Sequence, residues 1–596
     1  MFSFVTGVNE AFLLTATKIS WLKWNEESFR KAKEFDKPIL LGISAVWCHL
    51  CHVMDQTTYS DSEVARLVEE KFVPIRVDRD QRPDIDKRYN MGGWPSTAFL
   101  TPDGEILTGG TYIPPQQMKA LLEHISSFYK KNKNNLKSRI NELEKEAEKP
   151  SIEYGLDSEV FHSVIDSLTL EIASQFDSLH GGFGNAPKFP HSGALRLALL
   201  HHHMQGHKAA LNIVKRTLKE MRGGGIYDKE EGGFFRYSTT RDWSIPHYEK
   251  MCEDNAKLLV NYLEAYQVTG EDVFRDTAKG ILEYVNAKLS DQENGGFYGS
   301  QDADEVYYKL SLPERVKRTP PRIDKRLFVN WNCMMSSAYL LASVVLDDQS
   351  LQDFALRTVN LLLDTSFNPE NGVAHYIIEG KSHLSGLLTD QVHMMKCLID
   401  CYQLTLDRKF LDRAENIADF IVDKLWSDTG AFYDKPKETG AFGALKLLDK
   451  PLEENSVAAD ALLRLNHLTG KQRYLETARK TLEFFVSSIQ RYGIMGCVYG
   501  LAVELYLHPM QVHIVGSRKD YLTRRFLTES FRAYNPLKVV EIIDPAADSE
   551  QLKSLGYTVA DVPTAYVCFE GTCNLVEYPE KMGKAVRRFG GKDDGN

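Results

Sequence analysis

Two cysteines and two histidines fall within five consecutive positions, Cys48-His49-Leu50-Cys51-His52, directly after the apolar run at 39–45. A C-x-x-C pair at the start of a helix has a definite chemistry. The unpaired N–H groups and positive dipole end of the helix favour thiolate on the first sulfur. The second sulfur, one turn on, is placed to resolve a mixed disulfide. A protonated His49 would add to that stabilisation. Two other readings stand beside this one. Zinc accepts Cys48, Cys51 and one of His49 or His52, but a closed site needs further ligands at matching spacing. The other close cysteine pair, Cys568 and Cys573, lies far along the chain. The motif can also be a structural or vestigial feature. Redox chemistry is the leading reading, with Cys48 as nucleophile and Cys51 as resolving thiol.

A second concentration of reactive side chains spans 223–258. Its glycines permit tight turns, and Asp228, Arg236, Tyr237, Asp242, Trp243, His247, Glu249 and Asp254 supply acid–base and stacking groups. The stretch 295–306 adds Asp302 and Asp304, and Asn332 follows Trp331. Paired carboxylates beside aromatic platforms suit glycoside hydrolysis, which needs one acid and one base. A histidine and a glutamate in a sugar cavity suit the proton transfers of an epimerase equally well. The structural alternative is that carboxylates at loop–helix junctions act as N-caps and that aromatics after Gly-Gly pack the wall. His203 and His207 read as helix surface rather than as a metal pair. No metal or cofactor motif is recognised, and none is expected.

Local signals indicate what must position these groups. Residues 26–35 read as a helix, 39–45 as a strand feeding the dithiol, 61–71 as a helix and 72–78 as a strand. Gly93-Trp94-Pro95 precedes the strand 96–100 and the turn 101–105. A proline there matches the cis-proline that thioredoxin-type sheets place opposite their dithiol, so Pro95 is expected to shape the substrate groove. A long polar helix over about 116–148 closes this first domain, 1–148.

From 149 to 508 the pattern changes to long amphipathic helices, and the chain repeats itself. The stretches 266–278, 402–414 and 466–478 align without gaps, each ending one helix and starting the next. A Gly-Gly-aromatic element recurs at 180–184, 231–235 and 294–298. It returns in altered form at 371–376, 429–433 and, weakest, 492–496. Spacings of roughly 50–80 residues mark repeat architecture. Six such elements between helical hairpins predict an (α/α)6 toroid. The region 509–596 reads as a small α/β appendage with strands at 511–516 and 537–543, a helix at 521–534 and a further strand-forming stretch at 564–573. The fold class is therefore multidomain: an α/β domain, an all-α toroid and an α/β tail.

Composition narrows the function classes. The 596 residues are 43% hydrophobic and 26% charged, with a formal net charge of −10, so nucleic-acid binding is not expected. No apolar run reaches the ~20 residues of a membrane span. The first twenty residues lack a basic region ahead of their apolar part, so a secretory leader is not expected. Nine cysteines, most of them isolated in helical patterns, suit a reducing compartment, and the expected location is the cytosol.

The stretches "WCHLCHVM", "IRVDRDQRPDID", "GGWPSTAFLTPDGE", "GGTYIPP", "GGFGNAPKFP", "GGIYDKEEGGFFRYSTTRDWSIPHYEKM" and "GGFYGSQDAD" resemble the family of thioredoxin-domain-containing proteins that includes spermatogenesis-associated protein 20. The resemblance runs from about Trp21 to the C-terminus. It implies a thioredoxin-like domain joined to a six-hairpin toroid similar to glycosidases and N-acylglucosamine 2-epimerases. This chain carries "TDQVHMM" at 389–395 and "LEENS" at 452–456, where the family pattern has Glu-Asp-Tyr and Pro-Ser-Gly-Asn-Ser types. The leading expectation is a thiol–disulfide protein acting on a thiol-containing protein partner. The alternative is a carbohydrate-active enzyme binding a sugar-like molecule through Arg236, Tyr237, Asp242, Trp243, His247, Glu249, Asp254, Asp302, Asp304 and Asn332, with a regulatory first domain. A scaffold with neither activity is the third reading.

Overall fold

A computed structural model describes residues 19–146, 158–438 and 440–588. The leader reading of the first residues and the last two positions of the joining helix lie outside these. The described residues fall into two compact units. One takes those within Met1–Ser151 and Lys437–Leu448, the other those within Ile152–Pro436 and Asp449–Asn596.

The first unit begins with α1 (Glu26–Glu34), β1 (Ile39–Ser44), α2 (His49–Thr57), α3 (Ser62–Lys71) and β2 (Val73–Asp78). It continues with α4 (Pro83–Tyr89), β3 (Ser96–Leu100), β4 (Ile106–Gly110) and α5 (Pro115–Glu146). The sheet order is β2-β1-β3-β4. β1 runs parallel to β2 and antiparallel to β3, and β3 runs antiparallel to β4. This is a thioredoxin-like sheet. β3 and β4 form the β-hairpin expected behind Pro95, and α4 adds to the elements legible in the sequence. β1 and β3 are buried along nearly their whole length, because helices cover both faces. One face packs Leu40, Met54, Val68, Phe99 and Leu122; the other packs Phe29, Ile39, Leu41, Ile75 and Tyr89.

Leu445 belongs to that second cluster although the cluster's other buried members all lie at or before Leu100 in the chain. The ring of Phe442 stacks on Phe29 with centroids 4.7 Å apart. The hydroxyl of Tyr89 donates to the Gly104 carbonyl at 2.7 Å and accepts the N–H of Ala444 at 2.7 Å. Arg88 Nε donates to the carbonyls of Ala444 and Leu447.

The second unit contains α6 (Ser158–Gln175), α7 (Ser192–Gln205), α8 (Lys208–Gly223), α9 (Cys252–Thr269), α10 (Asp272–Lys288) and α11 (Val329–Val345). These are followed by α12 (Gln349–Ser366), α13 (Leu388–Thr405), α14 (Arg408–Lys424), α15 (Leu452–Thr469), α16 (Gln472–Val486) and α17 (Cys497–Leu507). Among the described residues the odd-numbered helices of this set form a ring. α7 packs on α9, α9 on α11, α11 on α13, α13 on α15, α15 on α17, and α17 back on α7. The remaining helices lie outside, each against an inner partner, and α6 pairs with α17 to complete the sixth position. The arrangement is an (α/α)6 toroid. The weakest copy of the repeated element, at 492–496, is a 3-10 turn within Ile489–Gly496. A sheet of β5 (Met510–Val515), β6 (Lys538–Ile543), β7 (Thr564–Phe569) and β8 (Thr572–Val576), with α18 (Tyr521–Arg532), belongs to the same unit. Its strand order is β6-β5-β7-β8.

The recurring Gly-Gly-aromatic element is explained by its hydrogen bonds. Asp177, Asp228 and Asp291 each start a tight loop and accept backbone N–H groups two and three residues ahead. Gly232 and Gly233 then take φ of 76° and 74°, a left-handed conformation that only glycine adopts at no steric cost. The chain next enters an inner helix, whose fourth residue carries a carboxamide. Asn332 Oδ1 accepts the N–H of Phe297 at 2.6 Å, while its Nδ2 donates to the carbonyls of Phe297 and Phe328 at 2.9 and 2.8 Å. Asn255 does the same for Phe234, Gln391 for Val373 and Asn455 for Phe432. All four side chains are buried.

Each of these carboxamides therefore binds both the N–H and the C=O of a buried loop-end residue. Asn332→Leu, which keeps the volume and removes the bonds, is expected to lower stability by about 3 kcal/mol, the cost of stranding buried donors and acceptors. Urea unfolding measures it. A loss under about 1 kcal/mol would show that water or a rearranged loop takes over the role.

Candidate functional site

The dithiol sits where β1 hands over to α2. Cys48 is the N-cap of α2, with extended backbone, and its sulfur accepts the N–H of Cys51 at 3.2 Å. The two side chains form a disulfide, their Cα atoms 5.2 Å apart. One orphan N–H of the helix end is thus directed at the first sulfur. The β1–β3 register pairs Ile43 with Ser96, which brings Pro95, preceded by a cis peptide bond, beside the strand end that leads into the dithiol.

The residues just before Cys48 and just before Pro95 belong to one network. Trp47 and Trp94 meet edge to face at 5.8 Å. Trp47 Nε1 donates to Asp80 Oδ2 at 2.7 Å, and Trp94 Nε1 donates to Asp86 Oδ1 at 2.8 Å. The guanidinium of Arg79 lies 4.6 Å from the Trp94 ring and 3.3 Å from Asp80. The motif "DRDQRPDID" therefore frames the cysteines, and a short connection plus α4 carries it into place. Among the described residues, no group of three or more metal-ligating side chains comes together in the protein.

The Thioredox_DsbH family model, described as "Protein of unknown function, DUF255", matches residues 8–148. Human spermatogenesis-associated protein 20 is 27% identical over 696 residues, covering 94% of this chain and 88% of the human protein. An uncharacterized protein of Caenorhabditis elegans is 31% identical over 530 residues, covering 77% of this chain and 70% of the nematode protein. The chain belongs to the spermatogenesis-associated protein 20 family. Among solved structures, the cellobiose 2-epimerase of Spirochaeta thermophila is similar over 59% of this chain and 97% of its own, with 16% identity and a TM-score of 0.47.

In this member of the spermatogenesis-associated protein 20 family, a second cluster lies at the end of the toroid where the inner helices begin. The short strands Tyr237–Ser238 and Pro246–His247 pair in register, so the Tyr237 and His247 rings stack at 5.1 Å, with Phe189 on the other face of Tyr237 at 4.7 Å. His247 Nδ1 contacts Glu249 Oε2. Glu249 is fully buried, and its Oε1 makes no hydrogen bond, lying 3.6 Å from Arg236 Nη1. Asp254, in the first turn of α9, interacts with Glu253, Arg236, Lys257 and Glu249, and burial followed by Glu253 pushes its carboxyl up. Lys257 bridges Glu253 and Glu453 at 2.8 and 2.9 Å. The structure thus brings Arg236, Tyr237, His247, Glu249 and Asp254 together.

The other sequence candidates are placed differently. Trp243 is fully buried with a left-handed φ of 64°, its Nε1 donating to the His180 carbonyl at 3.0 Å. Asp242 is held down at about 2, chiefly by hydrogen bonds from Ser244 and Thr240, and it caps the turn that positions Trp243. Asp304 is the N-cap of a short helix, accepting the Tyr307 N–H at 2.9 Å. Asp302 accepts the N–H of Ala303. Asn332 is wholly engaged with backbone, as described above. Asp228 is ion-paired to Lys250 and Arg315 at 2.7 Å each. The helix holding His203 ends at Gln205, so His207 does not share it.

The sequence reading did not single out Phe189, Glu253, Lys257 or the buried pair His375 and Asp390, whose Nδ1 and Oδ2 are 2.9 Å apart. Phe189 in "APKFP" directly follows Lys188, itself paired to Asp177 at 2.7 Å. That buried lysine beside a Gly-Gly loop was the signal available.

The raised Asp254 carboxyl carries a sign that can be checked. The folded protein binds this proton more tightly than the unfolded chain, so stability falls as pH climbs from about 4 through the raised value. Asp254→Asn should therefore stabilise the protein at about pH 8 and leave it nearly unchanged at about pH 4. Urea unfolding at both values decides it, and a gain that is equal at the two would overturn the assignment.

Proposed function

We propose that this protein is a thiol–disulfide oxidoreductase acting on a disulfide of a protein partner in the cytosol, through Cys48 and Cys51. The observation that carries the reading is Cys48 as helix N-cap with an amide N–H directed at its sulfur. In the reduced form that N–H and the helix end stabilise thiolate on Cys48. The thiolate attacks one sulfur of the partner's disulfide. The other partner sulfur leaves with the bond's electron pair and takes a proton from water. Cys51 then loses its proton to water and attacks the Cys48 sulfur. This releases the partner's second thiolate, which is protonated in turn, and leaves the Cys48–Cys51 disulfide. Trp47, Trp94 and Arg79 hold the two walls of the groove, and Pro95 shapes it.

The expected result is reversible formation of the Cys48–Cys51 disulfide and faster alkylation of Cys48 than of Cys51 in the reduced protein. Cys48→Ser should slow reduction of a model disulfide protein by about two orders of magnitude. Cys51→Ser should trap a mixed disulfide on Cys48. Equal rates in Cys48→Ser and the parent would exclude the reading.

One observation favours a second reading, small-molecule chemistry in the toroid. Glu249 Oε1 is buried without a hydrogen bond, beside Arg236 and next to His247 under a stacked aromatic face. That is an acid–base pair adjoining a platform of the kind sugars stack on. Calorimetric titration with neutral mono- and disaccharides should show binding that Glu249→Gln weakens about tenfold or more. Absence of any binding across the panel would leave the cluster a structural role.

A further inference from the structure

The C-terminal sheet contains a second cysteine pair. β7 and β8 are joined by the two-residue turn Glu570-Gly571, with φ of 47° and 76°. Their register sets Cys568 opposite Cys573. The Cα atoms are 4.0 Å apart and the sulfurs are joined in a disulfide. Close Cα spacing is a property of the non-hydrogen-bonded pairs of an antiparallel ladder.

A structural clip is not needed here. The bridge closes a sequence separation of only 5, in a hairpin whose tight turn already sets the register. Ala565, Val567 and Val576 anchor the same hairpin in the sheet core.

The surroundings of the sulfurs point to exchange. Cys573 is exposed and Cys568 half-buried. On the face of the sheet away from the core, Tyr557 stacks on Tyr566 with centroids 3.9 Å apart and planes 7° from parallel. This sets its hydroxyl 3.2 Å from Cys568 Sγ and 3.7 Å from Cys573 Sγ. The same hydroxyl lies 2.8 Å from Nδ1 of His513, a buried residue opposite Tyr566 on β5. Burial, and then His467, hold the His513 imidazole down at about 4, so it is neutral near pH 7. With its proton on Nδ1 it donates to the phenol oxygen, which directs the phenol O–H toward Cys568 and strengthens it as a donor.

We propose that Cys568–Cys573 is a second exchangeable disulfide, opened by an external dithiol that attacks the exposed Cys573 sulfur while Tyr557 hydrogen-bonds the departing Cys568 sulfur. Attack makes a bond between one sulfur of the dithiol and Cys573 and breaks the bond to Cys568. The electron pair goes to Cys568, whose thiolate is stabilised by the Tyr557 O–H and then protonated by water. The second sulfur of the dithiol loses its proton to water and displaces Cys573, which is protonated likewise. One protein disulfide becomes two thiols, and one dithiol becomes a disulfide.

The test uses the full chain carrying Cys48→Ser and Cys51→Ser, so that the first pair contributes nothing. The oxidised protein is treated with dithiothreitol, quenched with a maleimide at intervals, and the peptide spanning 568–573 is weighed. It should gain two labels together, and Tyr557→Phe, which keeps the ring on Tyr566, should slow that gain about tenfold, as the loss of one hydrogen bond to a charged sulfur implies. With glutathione disulfide as oxidant, Cys568→Ser should hold a mixed disulfide on Cys573, and Cys573→Ser should hold far less on Cys568. The proposal is overturned if the peptide stays doubly labelled after oxidant treatment. It is also overturned if Tyr557→Phe, with thermal unfolding like the parent's, is reduced at the parent's rate.

Discussion

A buried carboxamide at the fourth residue of an inner helix is the interaction on which the toroid depends. An (α/α)6 ring needs its outer-to-inner connections to cross the mouth of the barrel, where only short strands pair and some buried backbone groups are left for side chains to satisfy. An unpaired buried N–H or C=O is costly. Asn255, Asn332, Gln391 and Asn455 meet that requirement in the same way, each binding both backbone groups of the residue that ends a glycine loop and the carbonyl just ahead of its own helix. The loops are held from below as well, by Lys188 on Asp177 and Lys250 on Asp228. With the connections rigid, their remaining side chains can be presented at fixed spacing. Arg236, His247 and Glu249 are placed in this way.

The first unit solves a related problem with aromatic rings instead of amides. The dithiol follows the end of β1 and the cis-proline directly precedes β3, the strand paired with it. Here the tryptophans adjacent to each are pinned to Asp80 and Asp86, with Arg79 beside both. Asp80 and Asp86 are both buried, and the one guanidinium of Arg79 offsets part of their charge. Trp47 and Trp94 are consequently fixed by side chains outside the cysteine motif itself.

Much of this was legible in the sequence where the signal is local. The helix start at the dithiol, the strands around it and the recurrence of Gly-Gly-aromatic loops depend on neighbours a few residues apart, and each appears at its expected place. Ring closure was inferred from the number of copies, and the packing of α17 on α7 supplies the contact that a count does not contain. The toroid side chains were harder to read. A carboxamide or carboxylate at a loop–helix junction has the same sequence appearance whether it meets a ligand, caps a helix or staples backbone. Asn332 and Phe297 are 35 residues apart, so no local pattern reveals that they bond. Asp304 and Asp242 serve their own turns for the same reason. Cys568 and Cys573 looked remote from any chemistry because Tyr557 and His513 reach them only through the sheet.

The segment at 437–448 bears on what a domain means in this chain. It lies between helices of the toroid in sequence, yet Phe442, Ala444 and Leu445 complete the apolar cluster around Phe29 and Tyr89 in the other unit. The polypeptide therefore passes between the two units three times rather than once. A gene segment ending near Ser151 would encode a sheet with one of its core residues missing and two backbone partners of α4 absent. The sequence of the thioredoxin-like unit is thus written in two places, and the connection between α14 and α15 of the toroid supplies part of the sheet's interior.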